Sequence, residues 1–180
     1  MNKPVTDEQS LLQRATQLET QALAEIYDAY SPGIYRYAMR LLGDVTLAED
    51  CVAETFARFL KSLQERRGPR ENLQAFLYRI AHNLIVDSYR RQENTSALDD
   101  ALRSEADVPE EEAAKRIRQK EVREAIRHLT PDQQQVIALK YLEEWNNEEI
   151  ARALKKPVGA VKSIQHRALR SLYRLLKEKG

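Results

Sequence analysis

Apolar residues recur at helical spacing along most of the chain, and the alternation expected of strands is scarce. Leu23, Ile26, Tyr27, Tyr30, Ile34, Tyr37, Ala38 and Leu41 trace a first stripe, and Pro32 predicts a kink or break within it. Gly43 is a natural stop. Thr46 with Glu49 reads as a capping box that opens a second helix. Its inward positions are Val52, Phe56, Phe59, Leu60 and Leu63, and its outer side carries Asp50, Glu54, Arg58 and Lys61. The polar loop ERRGPREN follows, and a third helix is expected from Asn72 or Leu73. Leu73, Leu77, Ile80, Leu84 and Ser88 share one face of it, with Ala81 and Ile85 alongside. Arg79, Asn83 and Arg90 lie opposite, beside a stripe of Tyr78, His82 and Tyr89. Cations next to stackable rings suit unstacked nucleic acid, with the cations on phosphates and the rings on bases. Tyrosines closing the edge of a core give the same pattern.

The second half repeats the helical period. Ile117, Val122, Ala125, Ile126 and Leu129 form one apolar face. Thr130 caps the next helix, with Pro131 at its first position and Gln133 at its third. Val136, Leu139, Tyr141 and Leu142 are expected to extend the core. Asn146 and Glu149 form a variant capping box, with Trp145 and Ile150 placed as a hydrophobic staple. Ile150, Ala151 and Leu154 give that short helix its inward side, and Pro157 and Gly159 punctuate a tight turn.

The last helix has two faces. Val161, Ile164, Gln165, Ala168, Leu172, Leu175 and Leu176 form a broad stripe, apolar except for Gln165. Lys162, Ser163, His166, Arg167 and Arg170 fall roughly opposite. From Val158 onward there are six Lys or Arg and one acid, Glu178. A short helix, a tight turn and a longer helix with a basic face match the helix-turn-helix pattern. Its cations would neutralise phosphates, and Ser163, His166 and Arg167 could reach base edges in the major groove.

Charge divides the chain where the periodicity fades. The net charge of the 180 residues is +1. Residues 20–92 are nearly balanced, residues 93–114 sum to −7, and residues 115–180 sum to +8. The expected fold is all-α: two small helical domains joined by a flexible acidic linker, the C-terminal one a helix-turn-helix domain. The boundaries are residues 1–92, 93–112 and 113–180. The lone Cys51 excludes an internal disulfide and reads as a small core residue. No hydrophobic run has the length of a membrane span, and the N-terminal stretch lacks a signal-peptide core, so no membrane insertion is expected and the expected location is the cytoplasm.

Three segments, in order, carry a resemblance to a known family. AEDCVAETFARFL, NLQAFLYRIAHNLIVDSYRR and LTPDQQQVIALKYLEEWNNEEIARALKKPVGAVKSIQHRALRSL together resemble a bacterial RNA polymerase sigma factor. The group is the short extracytoplasmic-function (ECF) type of the sigma-70 family, and the match runs from about Ala22 to Leu176. The resemblance implies a protein that binds core polymerase, directs it to specific promoters and promotes their melting. Asp50, Glu54, Arg58 and Lys61 would face the beta-prime clamp helices of bacterial core RNA polymerase, whose beta flap is a second implied contact. The loop with Arg67, Arg70 and Asn72 would hold a flipped promoter base. Tyr78, Arg79, His82, Asn83 and Arg90 would bind the opened minus-ten strand. Lys162, Ser163, His166, Arg167 and Arg170 would enter the minus-thirty-five groove of promoter DNA. An anti-sigma factor is a further implied partner. The linker would thread polymerase near the template and the RNA exit path, or serve only as a tether.

The chain departs from the family pattern at several places. Ala53 stands where glutamine is usual, Phe76 where tryptophan is common, and Ala160 where threonine is usual. Glu144 and Lys155 occupy positions often held by glycine. Ile164 and Gln165 replace a basic residue followed by an apolar one, which bears on promoter preference.

Other functions fit less of the chain. A stand-alone helix-turn-helix regulator accounts for residues 113–180 and leaves the first domain without a task. An enzyme would need a constellation that is missing. His82, His128 and His166 lack metal-ligand spacing, and there is no phosphate-cradling glycine loop or nucleophile motif. No catalytic residue, metal or cofactor is expected. A helical adaptor is partly compatible, since an anti-sigma partner would cover the same faces.

Overall fold

The computed structural model describes residues 8–95 and 109–178. Among them all regular structure is helical. The helices are α1 (Glu8–Thr16), α2 (Thr20–Leu42), α3 (Val45–Gln64), α4 (Leu73–Thr95), α5 (Glu110–Arg127), α6 (Pro131–Ile137), α7 (Asn147–Leu154) and α8 (Val158–Glu178), with a π turn at Ala138–Leu142. The chain divides into two compact units: residues 1–39 with 44–84, and residues 40–43 with 85–180. Most of the expected linker lies outside the described residues. At its two edges, α4 runs on to Thr95 and α5 starts at Glu110 rather than near Ala113. Glu110, Glu111 and Glu112 fill the first turn of α5, where acids complement the helix dipole.

In the first unit, Ile26, Ile34 and Tyr37 of α2, Phe59 of α3, and Leu73 and Leu77 of α4 are fully enclosed. Helix α2 continues through Pro32 instead of ending there. Pro32 and Asp28 are both exposed, so the carbonyl that loses its helical donor remains open to water. Gly43 does end the run, at φ +67°. The start of α3 differs from expectation. Its cap is Asp44, whose carboxylate accepts from Leu47 N–H at 2.9 Å, not Thr46. Leu60 is exposed, and Cys51 and Thr55 take inward places.

The stripe of Tyr78, His82 and Tyr89 is core, with exposures of 3, 2 and 5%. Tyr37 and Tyr78 pack edge to face at 5.1 Å, and the Tyr37 hydroxyl lies 2.9 Å from His82 Nδ1. Tyr89 O–H donates to the Leu41 carbonyl at 2.8 Å. Tyr37, His82 and Tyr89 each bury a ring and place a polar atom on an internal partner, which offsets the cost of enclosing it.

Burial pushes the Cys51 thiol up to about 11, because the thiolate is the form that desolvation disfavours. The thiol should therefore resist alkylation by iodoacetamide at pH 8 in the native protein and react readily once urea unfolds it. Fast native labelling would contradict its enclosure. Its folded value lies above the unfolded one, so its contribution to stability is complete below about pH 9 and declines as pH rises toward 11.

In the second unit, Leu129, Ile137 and Ala168 pack together, with Leu172 against them. Ile117 and Val122, expected inward, are exposed. Both capping boxes form. Thr130 Oγ1 accepts from Gln133 N–H and Gln133 Oε1 from Thr130 N–H; Asn146 Oδ1 and Glu149 Oε2 exchange the equivalent pair. Trp145 and Ile150 are both buried, as a staple requires.

The left-handed residues around the short helix are not glycines. Glu144 has φ +58° before α7, and Lys155 has φ +52° after it. Gly159 lies inside α8 with open space around it, so the turn makes no use of its freedom. A side chain in the left-handed region costs about 1–2 kcal/mol that glycine escapes, partly offset by glycine's larger chain entropy. Glu144→Gly and Lys155→Gly should each stabilise the protein by about 0.5–1 kcal/mol, read as a higher thermal midpoint by circular dichroism. A lower midpoint would contradict the turn geometry.

Candidate nucleic-acid interface

The second unit sets up one long helix. Asn146 and Glu149 fix the entry to α7, and Lys155 N–H and Lys156 N–H close its end on the Arg152 and Ala151 carbonyls. Pro157 then leads into α8, its carbonyl accepting from Val161 N–H at 3.1 Å, and Val161, Ile164 and Ala168 of that helix are buried. Register does the rest: with this stripe inward, Lys162, Ser163, His166, Arg167 and Arg170 are all exposed. Ser163 Oγ donates to the Gly159 carbonyl at 3.0 Å, so the hydroxyl presents its lone pairs outward as an acceptor. Arg170 lies 3.4 Å from His166 Nε2. Among the described residues Arg167 makes a long contact from Nε to the Ser163 carbonyl, at 3.4 Å, which does not engage its terminal amino groups.

The other candidate residues lie on exposed faces of α3 and α4 and on the loop between these helices. Asp50, Glu54, Arg58 and Lys61 are exposed along α3, where Glu54 and Arg58 pair at 2.7 Å. This is an exposed i,i+4 pair, worth a few tenths of a kcal/mol. Arg67, Arg70 and Asn72 are exposed on the loop between α3 and α4. Arg66 and Asn72 hold left-handed backbone there. Gly68 allows a close approach: a Cβ on it would meet Leu63 Cδ2 at 2.5 Å. Helix α1 braces this loop. Glu8 Oε1 accepts the Leu73 N–H at 3.0 Å, a cap on α4 supplied from 65 residues away. Gln9, Gln13 and Thr16 of α1 and Arg66 and Arg70 of the loop line a hollow of about 300 Å³.

On α4, Arg79, Asn83 and Arg90 are exposed as expected. The Arg79 guanidinium sits 5.3 Å from the centre of the Phe76 ring, and Arg90 pairs with Asp87 at 3.9 Å. Tyr78 and His82 do not belong with them. Enclosed in the core, neither ring can stack on a base without leaving its packing. Sequence periodicity also misplaced Tyr141 among core residues, whereas it is about half exposed and bonded to α8.

The sigma-70 region 2 family matches residues 26–95, the exposed faces of α3 and α4 included, and the sigma-70 region 4 family matches residues 119–172, which hold the helix-turn-helix. The ECF RNA polymerase sigma factor BldN of Streptomyces coelicolor is 33% identical over 98% of this chain and 70% of its own length. The chain belongs to the ECF sigma factors. Two solved structures share the sigma factor's fold. CnrH in complex with the cytosolic domain of CnrY has a TM-score of 0.67 at 23% identity, over 96% of this chain and 99% of that one. RpoE from Bartonella quintana, in complex with the anti-sigma factor NepR, has a TM-score of 0.52 at 20% identity, over 91% of this chain and 98% of that one. The sigma factor thus directs RNA polymerase in transcription initiation and binds DNA through its two sigma-70 regions. Sigma factors are in general not enzymes. Among the described residues no helix of the sigma factor is long and apolar enough to cross a membrane.

Proposed function

We propose a division of labour within this sigma factor, carried by one observation: from Lys162 to Arg170 the exposed face of α8 holds Lys162, His166, Arg167 and Arg170 and no acid, the helix's one acid being Glu178 at its far end. In this reading residues 113–180 read the minus-thirty-five element. Lys162 and Arg170 neutralise phosphates, while Ser163, His166 and Arg167 meet base edges in the major groove. Residues 1–92 take the other tasks, and residues 93–112 join the two domains. Asp50, Glu54, Arg58 and Lys61 bind the clamp helices of core polymerase. Arg67, Arg70 and Asn72 hold a flipped base of the minus-ten element, and Arg79, Asn83 and Arg90 track the opened strand. Tyr78 and His82 support that surface from beneath by fixing α4 against α2.

The protein makes no covalent bond. It lowers the cost of opening DNA by binding the unstacked strand, and leaves synthesis to polymerase in the cytoplasm. An anti-sigma factor that covers the same α3 and α8 faces would hold it inactive. The test is transcription in vitro from a library of random promoter-length duplexes, with sigma-free bacterial core polymerase. Start sites that require the protein, with an enriched pair of spaced elements, are expected. Tight binding of a motif by the protein alone, without initiation, would favour a stand-alone helix-turn-helix regulator.

A further inference from the structure

Between α6 and α7 the backbone leaves the α-helical ladder. Glu143 N–H donates to the Ala138 carbonyl at 3.1 Å, and Trp145 N–H to the Leu139 carbonyl at 3.0 Å. A π turn of this kind shifts the side chains that follow it out of the helical register. Tyr141, within the turn, is 51% exposed. Its phenol oxygen accepts a hydrogen bond from Gln165 Nε2 of α8 at 2.9 Å. An amide nitrogen can only donate, so the single hydrogen of the phenol remains available to another acceptor. Gln165 sits at the border between the buried stripe and the exposed face of α8, one turn after Lys162. The half-exposed phenol is thus held by Gln165 at the rim of the cationic face.

A phosphate oxygen is an acceptor without a hydrogen, and it suits a neutral donor at the edge of a groove-reading helix. We propose that the Tyr141 hydroxyl donates to a phosphate of the DNA backbone flanking the groove that α8 enters, and that Gln165 is the positioning residue for it. This rests on the reading of α8 as the minus-thirty-five helix. It gives a physical role to Gln165, one of the positions where the chain departs from the family pattern. An apolar residue at 165 would leave the phenol untethered.

The test uses the full-length protein with core polymerase and the duplexes enriched by the transcription selection. Tyr141→Phe should weaken promoter complexes by about five- to tenfold. The loss should be equal on enriched and single-mismatch duplexes, with an unchanged dependence on salt because the phenol carries no charge. A methylphosphonate in place of the contacted phosphate should remove the difference between the native protein and Tyr141→Phe. Gln165→Leu should weaken binding less, and Tyr141→Phe added to it should cost less than it does alone. A silent Tyr141→Phe, a loss confined to one base pair, or strictly additive losses would overturn the proposal. Arg167→Ala separates the two levels. If it weakens binding while Tyr141→Phe is silent, only the phosphate contact fails; if both are silent, the groove reading fails with it.

Discussion

Arg167→Ala is expected to lower promoter affinity by roughly ten- to a hundredfold while affinity for core polymerase stays unchanged. The guanidinium is exposed, and among the described residues its hydrogen-bond contact is the long one to the Ser163 carbonyl. Its terminal amino groups are therefore placed to form a bidentate contact with a guanine edge, a pairing that carries about 1–3 kcal/mol of discrimination. The loss should concentrate at one or two base pairs, so that a mismatch there costs the variant little more. Lys162→Ala should behave differently. A phosphate contact gives a loss spread evenly over sequences and a salt dependence shallower by about one counterion. Both effects can be read from salt titrations of holoenzyme on a panel of single-mismatch duplexes, with polymerase affinity measured separately. Equal loss of polymerase binding after either change would show that α8 does not work independently of the polymerase-binding faces.

A glutamate introduced two residues from Arg170 should have a far larger structural effect than one introduced at Arg170 itself. Ala168 has no exposure and lies among Leu129, Ile137 and Leu172. Ala168→Glu adds volume to a packed contact and encloses a carboxylate with no cation built to meet it. Either fault costs a few kcal/mol, and together they rival the whole stability of so small a helical unit. The helical signal of the second unit should be lost at temperatures where the native protein is folded. Arg170→Glu, on the exposed face, should keep the signal and the thermal midpoint and lose only DNA binding, by repulsion from phosphate. Equal midpoints for the two variants would mean that the register assigned to α8 is wrong.

That register was legible because Val161, Ile164 and Ala168 are apolar and Lys162, His166, Arg167 and Arg170 are polar, so a 100° step separates them; toward the end of the helix the sorting weakens, and Leu176, expected inward, is exposed. Both capping boxes were legible for the same local reason, since each is written within four residues. Part of what failed depends on a partner distant in sequence. Tyr78 and His82 border a polar face by periodicity, and only Tyr37, more than forty residues away, turns them into core. Tyr141 fits an apolar stripe until the π turn shifts the register, and no residue type announces such a turn. Asp44 took the cap from Thr46 because two capping residues stand close together and pattern alone does not choose between them. Of the proposed interface, the α3 face, the loop and the α8 face were placed by spacing, while the α4 face lost its rings.

The bond between Glu8 and Leu73 has a bearing on how the protein is made. A ribosome adding about 5–20 residues per second takes roughly 3–13 s to cover the 65 residues between them. Over that interval the nine-residue α1 is too short to persist as an isolated helix, and α3, against which it packs, is still being made for most of it. The segment holding α1 is therefore made well before the partners it docks on, α3 and the first amide of α4. Until then the nascent chain displays a short greasy segment to chaperones, and synthesis that stalls before α3 is complete leaves it on display.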